Sequence, residues 1–244
     1  MNFTTINKLL AELKSRRPLN PTELQRLKND FLIEHTYDSN AIEGNTLTLR
    51  ETALILQEGI TIAEKPIKDH LEIIGYKDAF EYIMTLVDAQ SVLTESIIKQ
   101  IHSLVLMDDA ANRGVYQNLP VRILGAAHEP PQPYLVPVKM ETLIADYAQI
   151  KSEKHIIEAV AEFHLRFEGI HPFIDGNGRT GRLILNFELM KAGLLPVNIK
   201  FADRMKYYHC FDAWHRENHD AAPLINLLAE YEESTLHHYL EIIK

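Results

Sequence analysis

The chain has 244 residues, 46% of them hydrophobic, enough to bury a full core as one large domain or two small ones. Asp and Glu number 34 against 25 Lys and Arg, a formal charge of -9, which argues against the basic face a nucleic-acid binder needs while leaving room for a local basic pocket. A lone cysteine, Cys210, excludes an internal disulfide framework, and no stretch is apolar enough to span a bilayer or to serve as a secretory leader, so a cytoplasmic location is expected.

Helical periodicity dominates from the N-terminus onward. Residues 5–15 carry the apolar spacing of a short amphipathic helix. Asn20-Pro21-Thr22-Glu23 reads as a helix start, with Asn20 as cap and Glu23 completing a capping-box-like pattern, for a helix through about residue 38. Thr48 to Glu51 starts another helix that ends near Gly59. Longer helices are expected over 69–88 and over 95–107, the latter capped by Thr94. The pattern then changes. Across 113–138, Val-x-Ile alternation, a Gly-Ala-Ala turn and clustered prolines predict a short β-hairpin and an extended loop. Helices return over 138–151, 154–169 and 178–192, the last stopped by Gly193 and Pro196, and two more close the chain near 203–217 and 221–243. The expected architecture is all-α with one small hairpin, with a helical region over 1–50 ahead of a compact core over 51–244.

Between two of these helices lies the densest chemistry in the sequence, HPFIDGNGRTGR at 171–182. Gly176, Asn177 and Gly178 sit where a loop enters a helix. Glycines let consecutive backbone N–H groups converge, and the first helical turn adds unpaired donors and the positive dipole end. That combination is an anion nest, and phosphate is its usual guest. Arg179 and Arg182, about one turn apart, add more positive charge than one phosphate needs, so a di- or triphosphate fits better. Asp175 would repel such a ligand unless a cation lay between them, an arrangement that suits Mg²⁺. His171, with an ordinary pKa of about 6.5, is placed to act as a general base. Taken singly, Asp-Gly-Asn-Gly reads as a tight turn and the arginines as a solvated helix face. Their coincidence at one loop–helix junction favours the phosphate site.

These twelve residues match the signature His-Pro-Phe-x-Asp-Gly-Asn-Gly-Arg-x-x-Arg of the Fic family at every fixed position, and the chain resembles that family over roughly residues 30–240. The resemblance implies an all-α fold and transfer of AMP from ATP to a Ser, Thr or Tyr hydroxyl of a target protein and of the chain itself. It implies His171 as the base, Asp175 holding Mg²⁺ and Asn177 with the nest on the α-phosphate. Arg179 would then clamp the β-phosphate and Arg182 the γ-phosphate. Glycine at 178, where the related Doc kinases carry lysine, favours AMP transfer over phosphate transfer. The hairpin at 113–131 resembles the family's flap, which aligns a target by strand addition. Tyr207 and Tyr208 resemble residues of the adenine pocket, while CFDAWHRENHD departs in length from the family pattern and leaves Asn218 a weak adenine contact.

Residues 39–44 read SNAIEG, and Ser39, Glu43 and Gly44 resemble the inhibitory motif of Fic proteins that carry an N-terminal inhibitory helix. In that reading Glu43 competes with the γ-phosphate for Arg182, and Ser39 orients Glu43. The alternative is that Glu43 merely ends a helix at Gly44. Two further functions stand beside adenylyl transfer: removal of AMP from a modified target, with Glu43 positioning water, and a nucleotide-sensing regulator without chemistry. Neither nucleic acid nor membrane is an expected partner. A homodimer through the apolar C-terminal helices is compatible with the sequence.

Overall fold

The computed structural model describes residues 3–16, 21–123, 128–216 and 219–243. Ten α-helices are described: α1 (Thr4–Ser15), α2 (Pro21–Ile42), α3 (Leu49–Glu58), α4 (Ile67–Asp88), α5 (Glu95–Val105), α6 (Val136–Glu153), α7 (Ile156–Ile170), α8 (Asn177–Lys191), α9 (Arg204–Arg216) and α10 (Ala222–Ile242). Capping explains several boundaries. Thr48 accepts from Glu51 N–H while the Glu51 carboxylate reaches back to Thr48 N–H, a reciprocal box that starts α3. Thr94 caps α5 through Ile97 N–H. Gly59 ends α3 in the left-handed region, where a side chain would be strained.

The helix that organises the molecule is α8. Most of its residues from Asn177 through Leu189 are buried, with no polar stripe, so it must run through the core rather than along the surface. It packs against α4, α5 and α7, and α2 crosses its N-terminal half. Two of its buried polar side chains are fully paired: Asn186 bonds the backbone of Val197 in both directions, and Glu188 takes Tyr147, Lys151 and Lys191. α1 lies against α10, and Phe3, Ile6 and Ile42 share one apolar cluster with the rest of the core.

The structure corrects the sequence in two places. α2 does not stop near residue 38 but continues to Ile42, with His35, Thr36, Asp38, Ser39, Asn40 and Ala41 buried in its last turns. A helix end buried on every side shows no amphipathic stripe, so periodicity underestimates its length. The second correction concerns the hairpin. No strand forms among the described residues of 113–131, and the Gly-Ala-Ala turn falls on 124–127, outside the described residues. The described part bonds a different partner: Gln117 N–H donates to the carbonyl of Pro172 at 2.9 Å, and prolines at 120, 130 and 131 remove further ladder donors. The expected cap Asn20 also lies outside the described residues.

Candidate active site

The loop 171–176 joins the C-terminus of α7 to the N-terminus of α8, and a left-handed residue stands at each end. His171 closes α7 at φ 50°, and Gly176 opens α8 at φ 74°. A non-glycine residue in that region is strained and persists only where its surroundings hold it. Here they do. The Phe167 carbonyl accepts His171 N–H, and Gln117 Nε2 donates to the His171 carbonyl at 3.1 Å. Phe173 is fully buried and stacks on His102 with ring centroids 3.6 Å apart. Asn177 bonds both the N–H and the carbonyl of Phe173, at 2.9 and 2.8 Å. The Asn177 amide is thus spent on closing the loop, and what it can offer an anion is its backbone.

His102 fixes this loop against the flap segment. It accepts Gly114 N–H at Nδ1 (2.8 Å) and meets the Asp175 carbonyl at Nε2 (2.9 Å), so the ring is neutral with its proton on Nε2. Burial, the main influence, lowers its pKa to about 4, in keeping with that tautomer. The far side of the flap is fastened too. His128 bonds the Gly169 carbonyl at 2.7 Å and stacks on His215 of α9, ring centroids 3.9 Å apart. No motif marks His102, His128 or His215, which reach the site from separate elements.

The two motif arginines part company. Arg179 is buried and turns toward α4, with Nη1 3.0 Å from Glu72 Oε1 and Nη2 3.4 Å from Asp175 Oδ1. Arg182 turns toward α2, which engages its Nε and Nη2. Its Nε donates to Ser39 Oγ at 2.8 Å, and its Nη2 donates to the Ser39 carbonyl at 2.8 Å and to Glu43 Oε1 at 2.7 Å. Tyr207 Oη lies 3.5 Å from Nη1. Glu43 thus sits just past the end of α2, over the first turn of α8. A methyl group placed on Gly178 would collide with Glu43 Oε1, so the carboxylate rests almost on the backbone of the predicted nest. It occupies the ground where the helix dipole and free N–H groups attract an anion.

Glu43, His171, Gly178, Arg182, Tyr207, Tyr208, Phe211 and His215 line one cleft of about 410 Å³. Tyr207 is buried and bonds His164 Nε2 at 2.6 Å, whereas Tyr208 is exposed and donates to the Ile42 carbonyl at 3.0 Å, tying α9 to the base of the Glu43 turn. Asn218 lies outside the described residues. Burial holds the His171 imidazole below its ordinary pKa, against the pull of Glu43 and of the Glu168 carbonyl, so the ring is neutral and basic at pH 7. For Asp175, burial works to raise the pKa, but Arg179, the Gly176 N–H and Lys68 outweigh it and keep the carboxyl below the usual range. Asp175 is therefore an ionised, half-exposed carboxylate beside the nest. Among the described residues no group of three or more His, Cys, Asp or Glu is placed to hold a metal alone. One carboxylate is what Mg²⁺ takes when phosphate oxygens and water supply its other ligands, so the residues fit an ion that arrives with a nucleotide.

Residues 92–189 match the sequence model of the Fic/DOC family. The chain is 36% identical over 228 residues to Protein adenylyltransferase Fic of Nematostella vectensis, covering 91% of this chain and 52% of that protein. It thus spans about half the length of the curated relatives it matches. A Fic domain containing signaling protein from Bacteroides thetaiotaomicron superposes with a TM-score of 0.91 at 29% identity, covering 98% of each chain. Fic-1 from C. elegans superposes with a TM-score of 0.86 at 28% identity, covering 99% of this chain and 71% of that one. The chain belongs to the Fic/DOC family.

Proposed function

We propose that the protein is an adenylyltransferase that moves AMP from ATP to a protein hydroxyl and that Glu43 holds it in check. Relatives named protein adenylyltransferase and the complete motif support the reaction. The observation that carries the check is Arg182, whose guanidinium is bound by Ser39 and Glu43 while the Glu43 carboxylate lies on Gly178. A triphosphate needs both the guanidinium and the nest.

With Glu43 displaced, the Gly176–Gly178 backbone and the N-terminus of α8 bind the phosphates and Arg182 takes the terminal one. Asp175 would hold Mg²⁺, which would neutralise phosphate charge when bound. His171 accepts the proton of the attacking hydroxyl as its oxygen bonds the α-phosphorus, and the α–β bridging oxygen leaves with pyrophosphate. Arg179, buried against Glu72, positions Asp175 rather than reaching the ligand through an open face. The flap segment, fastened at Gln117 and His128, presents its backbone to a target by strand addition. Tyr208 and Phe211 offer aromatic surface to the base.

Intact-mass analysis of wild type, Glu43→Gly and Glu43→Gly/His171→Ala after incubation with MgATP tests this reading. An AMP adduct on Glu43→Gly that vanishes with His171→Ala is expected. A phosphate adduct, or release of AMP from a modified target by wild type without any forward transfer, would assign a different reaction.

A further inference from the structure

One buried acid has no part in the mechanism above. Glu168 lies one turn before His171 on α7, with its side chain 13% exposed and directed into the cleft. A residue at that place could as easily be apolar, since its neighbours Leu165 and Phe167 are. Glu168 Oε1 is buried without a hydrogen-bond partner, and so is His171 Nδ1. Unpaired buried polar atoms are costly and rare, and one on each of two residues a turn apart points to contacts that form in another state. The second oxygen, Oε2, lies 3.9 Å from His171 Nδ1, just beyond hydrogen-bond range. Room for the carboxyl comes from Gly181 of α8, where a methyl group would stand 2.7 Å from Oε1.

We propose that Glu168 is the positioning residue of His171: its carboxylate accepts Nδ1–H, which fixes the tautomer and turns the Nε2 lone pair toward the incoming hydroxyl. The proposal rests on the adenylyl-transfer reading. A ring nitrogen facing substrate is basic only when the other nitrogen carries the proton, and a carboxylate behind it stabilises the imidazolium that forms. The hydroxyl proton goes to Nε2, the Nδ1 proton stays between ring and carboxylate, and no other reagent is required. The groups facing the pair are Glu43 beyond α2, Arg182 and Asp175 at α8, His128 of the flap, His164 of α7 and Tyr207 of α9. In the inhibited state burial, with Glu43 adding to it, raises the Glu168 pKa to about 8, so the carboxyl is mostly protonated at neutral pH and carries no charge to stabilise an imidazolium. Departure of Glu43 removes one of those two causes. The brake then acts on the base as well as on Arg182. The competing acceptor for Nδ1–H is the backbone carbonyl of Glu168, which also favours a protonated ring.

The test uses Glu168→Ala and Glu168→Gln in the full chain carrying Glu43→Gly. Glu168→Ala is expected to lower kcat about tenfold or more with KM for ATP changed less than about twofold. The acid limb of its pH–rate profile moves to lower pH, because the imidazole loses its carboxylate. The ¹⁵N shifts of His171 change from one Nδ1–H tautomer to a mixture. Glu168→Gln, whose amide oxygen still accepts, keeps the tautomer and recovers part of kcat. It also serves as the readout should Glu168→Ala fail to fold. An unchanged tautomer and kcat in both variants would assign Nδ1–H to the backbone carbonyl and overturn the proposal. If Glu43→Gly itself transfers no AMP, adenylyl transfer fails as the function, while the ¹⁵N shifts still decide whether Glu168 holds the ring.

Discussion

Replacing Glu43 with glycine removes one of the groups that hold Arg182, and the size of the effect follows from the contact. The pair meets at 2.7 Å, with the Arg182 side chain 3% exposed and that of Glu43 35% exposed. A hydrogen bond to a charged group contributes about 1.5–3 kcal/mol, and partial exposure places this one near the lower half, about 2 kcal/mol. At 1.4 kcal/mol per decade, that is about a 30-fold rise in the population with Arg182 free, and in the initial rate of AMP incorporation at subsaturating ATP. The assay is transfer of labelled AMP from α-labelled ATP by wild type, Glu43→Gly and Glu43→Gln. Glutamine keeps the bulk over Gly178 and one acceptor but loses the charge, so its rate should fall between the other two. Equal rates for all three would refute competition for Arg182. A glutamine variant as silent as wild type would mean that occupancy of the nest, not charge, is the brake.

Ser39→Ala removes the oxygen 2.8 Å from Arg182 Nε but leaves the Ser39 carbonyl bond, so it should release activity by only about 2- to 10-fold in the same transfer assay. Gly178→Ala should destabilise wild type by about 1–3 kcal/mol in urea and Glu43→Gly by clearly less, because the colliding atom belongs to Glu43; equal losses would place that carboxylate elsewhere. Stability should peak near pH 6.5. Burial lowers His35 and His164 to about 3 and His102 and His215 to about 4, and raises Glu168 to about 8 and Glu232 to about 7. Between the ordinary carboxyl and imidazole values the unfolded chain binds four protons on these histidines and the native state two on the two acids, a net of two. Stability then falls toward acid by about 2.7 kcal/mol per pH unit, and above pH 6.5 it falls toward alkali as Glu168 and Glu232 must ionise. Urea midpoints at pH 5, 6.5 and 8 measure both slopes; a midpoint that climbs steadily to pH 8 would contradict the assignment.

What the sequence discloses is what lies close together along it. The motif loop, its entry into α8 and the caps at Thr48 and Thr94 are local, and the residues that shape them are neighbours in the chain. The Glu43–Arg182 contact spans 139 positions and was reachable only through resemblance, since nothing in SNAIEG states its partner. The shared face assigned to Arg179 and Arg182 was half of the truth. They leave the same helix, yet α4 offers Glu72 to one and α2 offers Ser39 and Glu43 to the other. His102, His128, Glu168 and His215 carried no signal because a single His or Glu is usually a packed or solvated residue. Tertiary structure brings His128 and His215 to the cleft and His102 behind the motif loop, while Glu168 reaches the cleft from one turn before His171.

The most direct measurement is a crystal structure of Glu43→Gly with MgATP or a non-hydrolysable analogue. The account predicts the α-phosphate over Gly176–Gly178 within reach of His171, the cation on Asp175 and the terminal phosphate on Arg182. A nucleotide bound away from this junction, or Arg182 still turned to Ser39 with the phosphates elsewhere, would contradict it.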